Sequence, residues 1–147
     1  MVRKASAVWN GSLKEGKGTI STESKVLSNA QYSFSTRFEN GIGTNPEELI
    51  AAAHAGCFTM ALSAQLGNAG ITPESLETTA AVTLEKLEAG FTVTKIHLDV
   101  TAKIPGADAA AFEKAAQNAK AGCPISRLLK AEITMSAKLV GERASSA

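Results

Sequence analysis

The chain has 147 residues, 44% of them hydrophobic and 20% charged, which suits one globular domain with a sizeable core and excludes a disordered or fibrous protein. Fifteen Lys and Arg against fourteen Asp and Glu, with one Trp and one Tyr, argue against a nucleic-acid binder that neutralises phosphates and stacks bases. Two cysteines, Cys57 and Cys123, are too few for a disulfide scaffold, and with two histidines they lack the spacing of a structural zinc site, so no metal or cofactor is expected.

The basic start Met1-Val2-Arg3-Lys4 has no apolar run behind it, so no secretory signal is expected and the expected compartment is the cytoplasm. No repeat or linker divides the sequence, which predicts a single domain over residues 1–140 and a flexible tail over 141–147. Short strands are predicted at 5–9, 18–22 and 32–38, separated by Gly- and Asn-containing turns. A helix follows over 46–66, with Thr44 or Asn45 as N-cap, Pro46 near its first position, Glu47 and Glu48 in its first turn and Gly67 beyond its end.

Beyond that helix, Ala80, Val82 and Leu84 alternate with polar residues, and the Glu88-Ala89-Gly90 link predicts a hairpin into a strand over 91–104. In that strand Ile96, Leu98, Val100, Ala102 and Ile104 share one face, opposite Lys95, His97, Asp99, Thr101 and Lys103. An amphipathic helix over 108–120, a short helix over 124–130 and a last strand carrying Ile133, Met135, Ala137 and Leu139 complete an α+β fold of about six mostly antiparallel strands.

From Leu49 to Leu66 the first long helix has no charged residue, and small or apolar residues lie on every side. A bilayer span is the alternative, but His54, Thr59, Ser63 and Gln65 interrupt the stretch and its flanks lack an aromatic belt, so no membrane partner is expected. A central helix buried in protein remains, and one sheet with one ordinary helix leaves part of it bare. A homodimer is therefore expected.

Cys57 sits in the middle of that helix, where burial raises a thiol pKa and favours an inert sulfur unless a cation reaches it. Arg37, in a predicted strand beside Phe38, is a candidate cation or an ordinary solvated charge. Cys123 precedes Pro124, the predicted first residue of a short helix, where backbone N–H groups favour thiolate. The two cysteines are separated by 66 positions, so they are no C-x-x-C motif; if the fold joins them, peroxidatic and resolving roles are the natural assignment. His54, one turn before Cys57, is either a general base or a satisfied buried histidine, His97 reads as surface, and Glu48 serves the helix dipole. Phe38, Leu49, Phe58 and Met60 are candidates for an apolar pocket or for core packing.

The run from Thr44 to Phe58, TNPEELIAAAHAGCF, closely resembles the helix of the OsmC/Ohr family, the osmotically inducible protein C and organic hydroperoxide resistance proteins. The segments TRFE around Arg37, AKAGCP around Cys123 and LKAEIT near the end look like the OsmC branch. This resemblance implies an intertwined homodimer of α+β subunits that reduces organic hydroperoxides, and hydrogen peroxide less well, at the expense of an external dithiol reductant such as a lipoyl-type carrier. It further implies Cys57 as peroxidatic cysteine, Cys123 as resolving cysteine, and Arg37 with Glu47 as the activating pair.

An ideal helix places Glu47 roughly 15 Å along the axis from Cys57, too far for direct contact, so either Arg37 spans the gap or a partner subunit supplies one group. Two rival readings stay open at this point: a Cys57–His54 hydrolase or acyl transferase, and a non-enzymatic, stress-induced dimer that binds an apolar ligand.

Overall fold

The computed structural model describes residues 1–142. Its elements run β1 (Ala5–Asn10), β2 (Lys17–Thr22), β3 (Ala30–Tyr32), α1 (Phe34–Phe38), α2 (Pro46–Asn68), β4 (Ser75–Leu87), β5 (Gly90–Ala107), α3 (Ala109–Gly122), α4 (Pro124–Leu128) and β6 (Glu132–Glu142). The chain divides into two compact units, Met1–Leu49 and the remainder from Ile50, with α2 beginning in the first and continuing into the second. Of the tail expected from residue 141, Gly141 and Glu142 extend β6, and residues 143–147 lie outside the described residues.

The first unit is an antiparallel meander in the order β1-β2-β3. Its register sets Trp9, Gly18 and Tyr32 side by side across the three strands. Gly18 has no side chain to hold the rings apart, and those of Trp9 and Tyr32 meet with centroids 5.4 Å apart. A Cβ on Gly18 would come within 2.6 Å of both rings, so any other residue there requires the rings to shift.

The expected strand over 32–38 is corrected here: β3 ends at Tyr32 and α1 begins at Phe34. Ser33 is the cause. Its hydroxyl accepts from the Thr36 N–H at 3.2 Å while the Thr36 hydroxyl accepts from the Ser33 N–H at 2.8 Å, a reciprocal cap that outweighs the strand preference of Tyr, Phe and Thr. Phe34 and Phe38 then fall one turn apart and pack with ring centroids at 4.9 Å. Arg37 therefore sits in the last turn of a helix, not in a strand.

The second unit is a sheet in the order β4-β5-β6. β4 and β5 form the expected hairpin, closing at Leu87 opposite Gly90, whose φ of 121° suits glycine. β6 returns parallel to β5, with Ile96 beside Ile133 and Leu98 beside Met135, after a crossover through α3 and α4. Being central, β5 buries its inner face fully from Ile96 to Ala102, whereas the matching residues of β4 and β6 are half-buried.

Onto that face pack Phe58, Leu62 and Leu66 of α2, which continue at a spacing of four from the buried His54, and Phe112, Ala115, Ala116 and Ala119 of α3. At about 25 cal/mol per Å2, a fully buried Phe or Leu here contributes roughly 2–3 kcal/mol to the core. The opposite side of α2, with Ala52, Ala53, Gly56, Met60, Ala64 and Gly67, is exposed within one chain; Met60 reaches 77%. By length and composition α2 could also cross a membrane. Within this unit one stripe of it forms part of the core.

Candidate redox site

In the first unit, Asn45 starts α2: its Oδ1 accepts from the Glu48 N–H at 2.7 Å, and its Nδ2 donates to the Thr36 carbonyl at 2.9 Å, tying the helix start to α1. Glu48 turns outward, where its carboxylate accepts from the Thr44 hydroxyl at 2.7 Å. Glu47 turns inward and receives Arg37 Nε at 2.7 Å. The carboxylate is 12% exposed and the arginine 39%, and Glu47 Oε2 is buried without a hydrogen-bond partner. The guanidinium also lies over the Phe38 ring, 5.2 Å from its centroid. Beside the pair is an apolar cleft of about 230 Å3 lined by Trp9, Leu13, Tyr32, Phe34, Phe38 and Pro46, together with Ser33 and Arg37.

The second unit holds the thiols. Cys123 ends α3, donating its N–H to the Ala119 carbonyl at 3.0 Å, and starts α4, accepting from the Arg127 N–H at 3.0 Å. Its side chain makes no cap bond to α4. Instead its fully buried Sγ lies 2.8 Å from Sγ of the half-buried Cys57, and both thiols are free. Of the backbone N–H groups at the start of α4, that of Ile125 acts on Cys57. Burial pushes the Cys57 thiol pKa up, the contact with Cys123 adds to this, and the Ile125 N–H works against both by favouring thiolate.

His54 does not meet Cys57. Its Nε2 is 2.7 Å from Ser126 Oγ on α4, its Nδ1 is buried without a partner, and burial holds its pKa below the ordinary value, which favours the neutral ring. His97 is held on the outer face of the second sheet by Thr134 at 2.6 Å and Ser136 at 3.1 Å. Of the four apolar pocket candidates, Phe38 lines the cleft, Phe58 belongs to the core and Met60 is exposed. No group of three or more His, Cys, Asp or Glu able to hold a metal occurs among the described residues.

The structure thus brings Arg37 to Glu47 and Cys57 to Cys123. Sequence reasoning missed Ser126, the Ile125 N–H, and Trp9 with Tyr32 as cleft walls. The Ser33-x-x-Thr36 pattern and the four-residue spacing of Phe34 and Phe38 were the available signals for α1; nothing linear pointed from His54 to Ser126.

A two-thiol site on an α+β scaffold of this topology defines a class of cysteine-based redox proteins. The family model described as OsmC-like protein matches residues 39–138, and the chain belongs to that family. It is 58% identical over 137 residues to peroxiredoxin OsmC of Escherichia coli, covering 93% of this chain and 96% of that one. It is 29% identical over 100 residues to an organic hydroperoxide resistance protein of Xanthomonas axonopodis, covering 67% and 68%. Among solved structures, an organic hydroperoxide resistance protein OsmC from Legionella pneumophila superposes with a TM-score of 0.68 at 26% identity over 92% of this chain and 96% of its own.

Proposed function

We propose that this protein is a thiol-dependent peroxidase that reduces organic hydroperoxides to alcohols, and hydrogen peroxide less efficiently, as an intertwined homodimer. The observation that carries the reading is the pair of free sulfurs at 2.8 Å, Cys57 half-buried and Cys123 fully buried. A lone inert thiol needs no such partner, whereas a peroxidatic cysteine that is resolved within its own chain does. The names of the relatives, peroxiredoxin and organic hydroperoxide resistance protein, support the same chemistry.

In the proposed cycle the Cys57 thiolate attacks the hydroxyl oxygen of ROOH. The S–O bond forms, the O–O bond breaks, and the alkoxide leaves as ROH after taking a proton. The Cys123 sulfur then displaces hydroxide from the sulfenic acid, giving a Cys57–Cys123 disulfide and water, and an external dithiol returns both thiols to the reduced state while becoming a disulfide itself. Arg37 is the proposed cation that offsets the raised Cys57 pKa and draws charge from the breaking O–O bond. Glu47, bonded at Nε, holds the guanidinium so that its terminal amino edge is presented. The apolar cleft beside Arg37 fits the organic group of the peroxide.

A Cys–His hydrolase is disfavoured, since neither ring nitrogen of His54 meets Cys57. Intact mass spectrometry after one equivalent of cumene hydroperoxide tests the reading. The expected product has lost two hydrogens, mapped to Cys57 and Cys123; both thiols remaining reduced would reject the peroxidase and favour a non-enzymatic binding dimer.

A further inference from the structure

We infer that the His54–Ser126 hydrogen bond is a clasp that holds the resolving cysteine against the peroxidatic one, which makes His54 and Ser126 positioning residues for disulfide formation; the inference rests on the peroxidase reading above. Two contacts join α2 to α4 in parallel. Cys57 meets Cys123 at 2.8 Å, and His54 meets Ser126 at 2.7 Å. On each helix the two partners are three residues apart, so the contacts lie one turn from each other and share an orientation.

α4 is held against the core by the apolar packing of Ile125 and Leu129, to which the clasp adds a directional bond. The helix has five residues, no side-chain N-cap bond, and a length at which an isolated helix does not hold its shape in water. Displacement of α4 together with its cap residue away from α2 would withdraw both the Cys123 sulfur and the Ile125 N–H from Cys57. The imidazole is costly where it stands: His54 is fully buried and Nδ1 has no partner. Leucine would fill a core stripe shared with Phe58, Leu62 and Leu66 without that penalty. The directional bond at Nε2 is what the imidazole adds, and it ends on the helix that carries Cys123.

The consequence falls on the fate of the sulfenic acid. Cys57–SOH either condenses with the Cys123 thiol, forming S–S and releasing water, or is oxidised by a second hydroperoxide to the sulfinic acid, releasing a second alcohol. The clasp favours the first branch by keeping Cys123 in place.

The experiment compares wild type, Ser126→Ala, Ser126→Thr and His54→Gln as full-length reduced proteins, treated with one equivalent and with excess cumene hydroperoxide. Mass spectrometry reads the ratio of disulfide to Cys57 sulfinic acid. Ser126→Ala is expected to lower that ratio roughly fivefold, the weight of one neutral hydrogen bond. Ser126→Thr, which keeps the hydroxyl, and His54→Gln, whose amide reaches the position of Nε2, are expected to restore most of it. An unchanged ratio in Ser126→Ala beside normal wild-type disulfide formation overturns the clasp and leaves the peroxidase reading standing. A low ratio in Ser126→Thr equal to that of Ser126→Ala also overturns it, because the hydroxyl is then not the cause. No oxidation of either thiol in wild type overturns both.

Discussion

At Cys57 two opposing influences meet on one sulfur. Burial and the neighbouring Cys123 hold it as a thiol, and the Ile125 N–H favours the anion without overcoming them. Under the proposed chemistry Arg37 supplies the missing charge, so its removal acts on ionisation before it acts on anything else. In Arg37→Met the pH midpoint of Cys57 alkylation by iodoacetamide is expected to rise, and the rate near neutral pH to fall about tenfold, the effect of one opposite charge on a nearby acid. Glu47→Gln should give a smaller shift of the same sign; an Arg37→Met profile superimposable on wild type would remove the arginine from the site. The two cysteines were legible in the sequence because their helix signals, Pro46 and Pro124 included, are local. Ser126 was not, because its partner is 72 residues away and only the folded second unit brings them together.

At the scale of elements, local side-chain chemistry decided the one place where the strand pattern failed. Residues 32–38 read as a strand by composition, yet the Ser33–Thr36 cap turns them into α1 and carries Arg37 to Glu47. Where hydrophobic alternation runs long, as in β5, the sequence predicted both extent and face, since a one-residue slip would expose the whole set. The first sheet is short and its faces are weakly marked, and there Gly18 is the controlling residue. Gly18→Ala should push Trp9 and Tyr32 apart and cost about 1–3 kcal/mol, as overpacking does. Trp9 is the single tryptophan, so its emission spectrum and the urea midpoint together report the change. A variant with unaltered emission and midpoint would show that the rings make room freely.

For the molecule as a whole, the bare side of α2 is the feature that a lone chain does not explain. Gly56 lies mid-helix with nothing near the place of a Cβ, and an exposed helical glycine normally costs about 1 kcal/mol against alanine. If solvent covered that face, Gly56→Ala would stabilise the protein by about that amount. With a second copy packed closely there, as proposed, Gly56→Leu should weaken the dimer and release monomer in sedimentation velocity at micromolar concentration, while wild type remains dimeric. Monomeric wild type would sink the proposal. The sequence pointed to this surface through the missing charges between Leu49 and Leu66, but which stripe faces inward depended on where the second sheet lies.

The parallel pairing of β5 with β6 bears on how the protein comes into being. Cys123 rides on the crossover that such a pairing demands, and that crossover is anchored at both ends only once β6 has joined the sheet, with partners such as His97 and Thr134 37 residues apart. Pairings between distant segments form late. A newly made chain therefore passes through a stage in which Cys57 exists without its companion, and a sulfenic acid formed then has no internal thiol to condense with until the sheet closes. Under the proposed chemistry the complete two-thiol site is thus a late product of long-range pairing, and a chain that has not closed its last strand is not yet a catalyst.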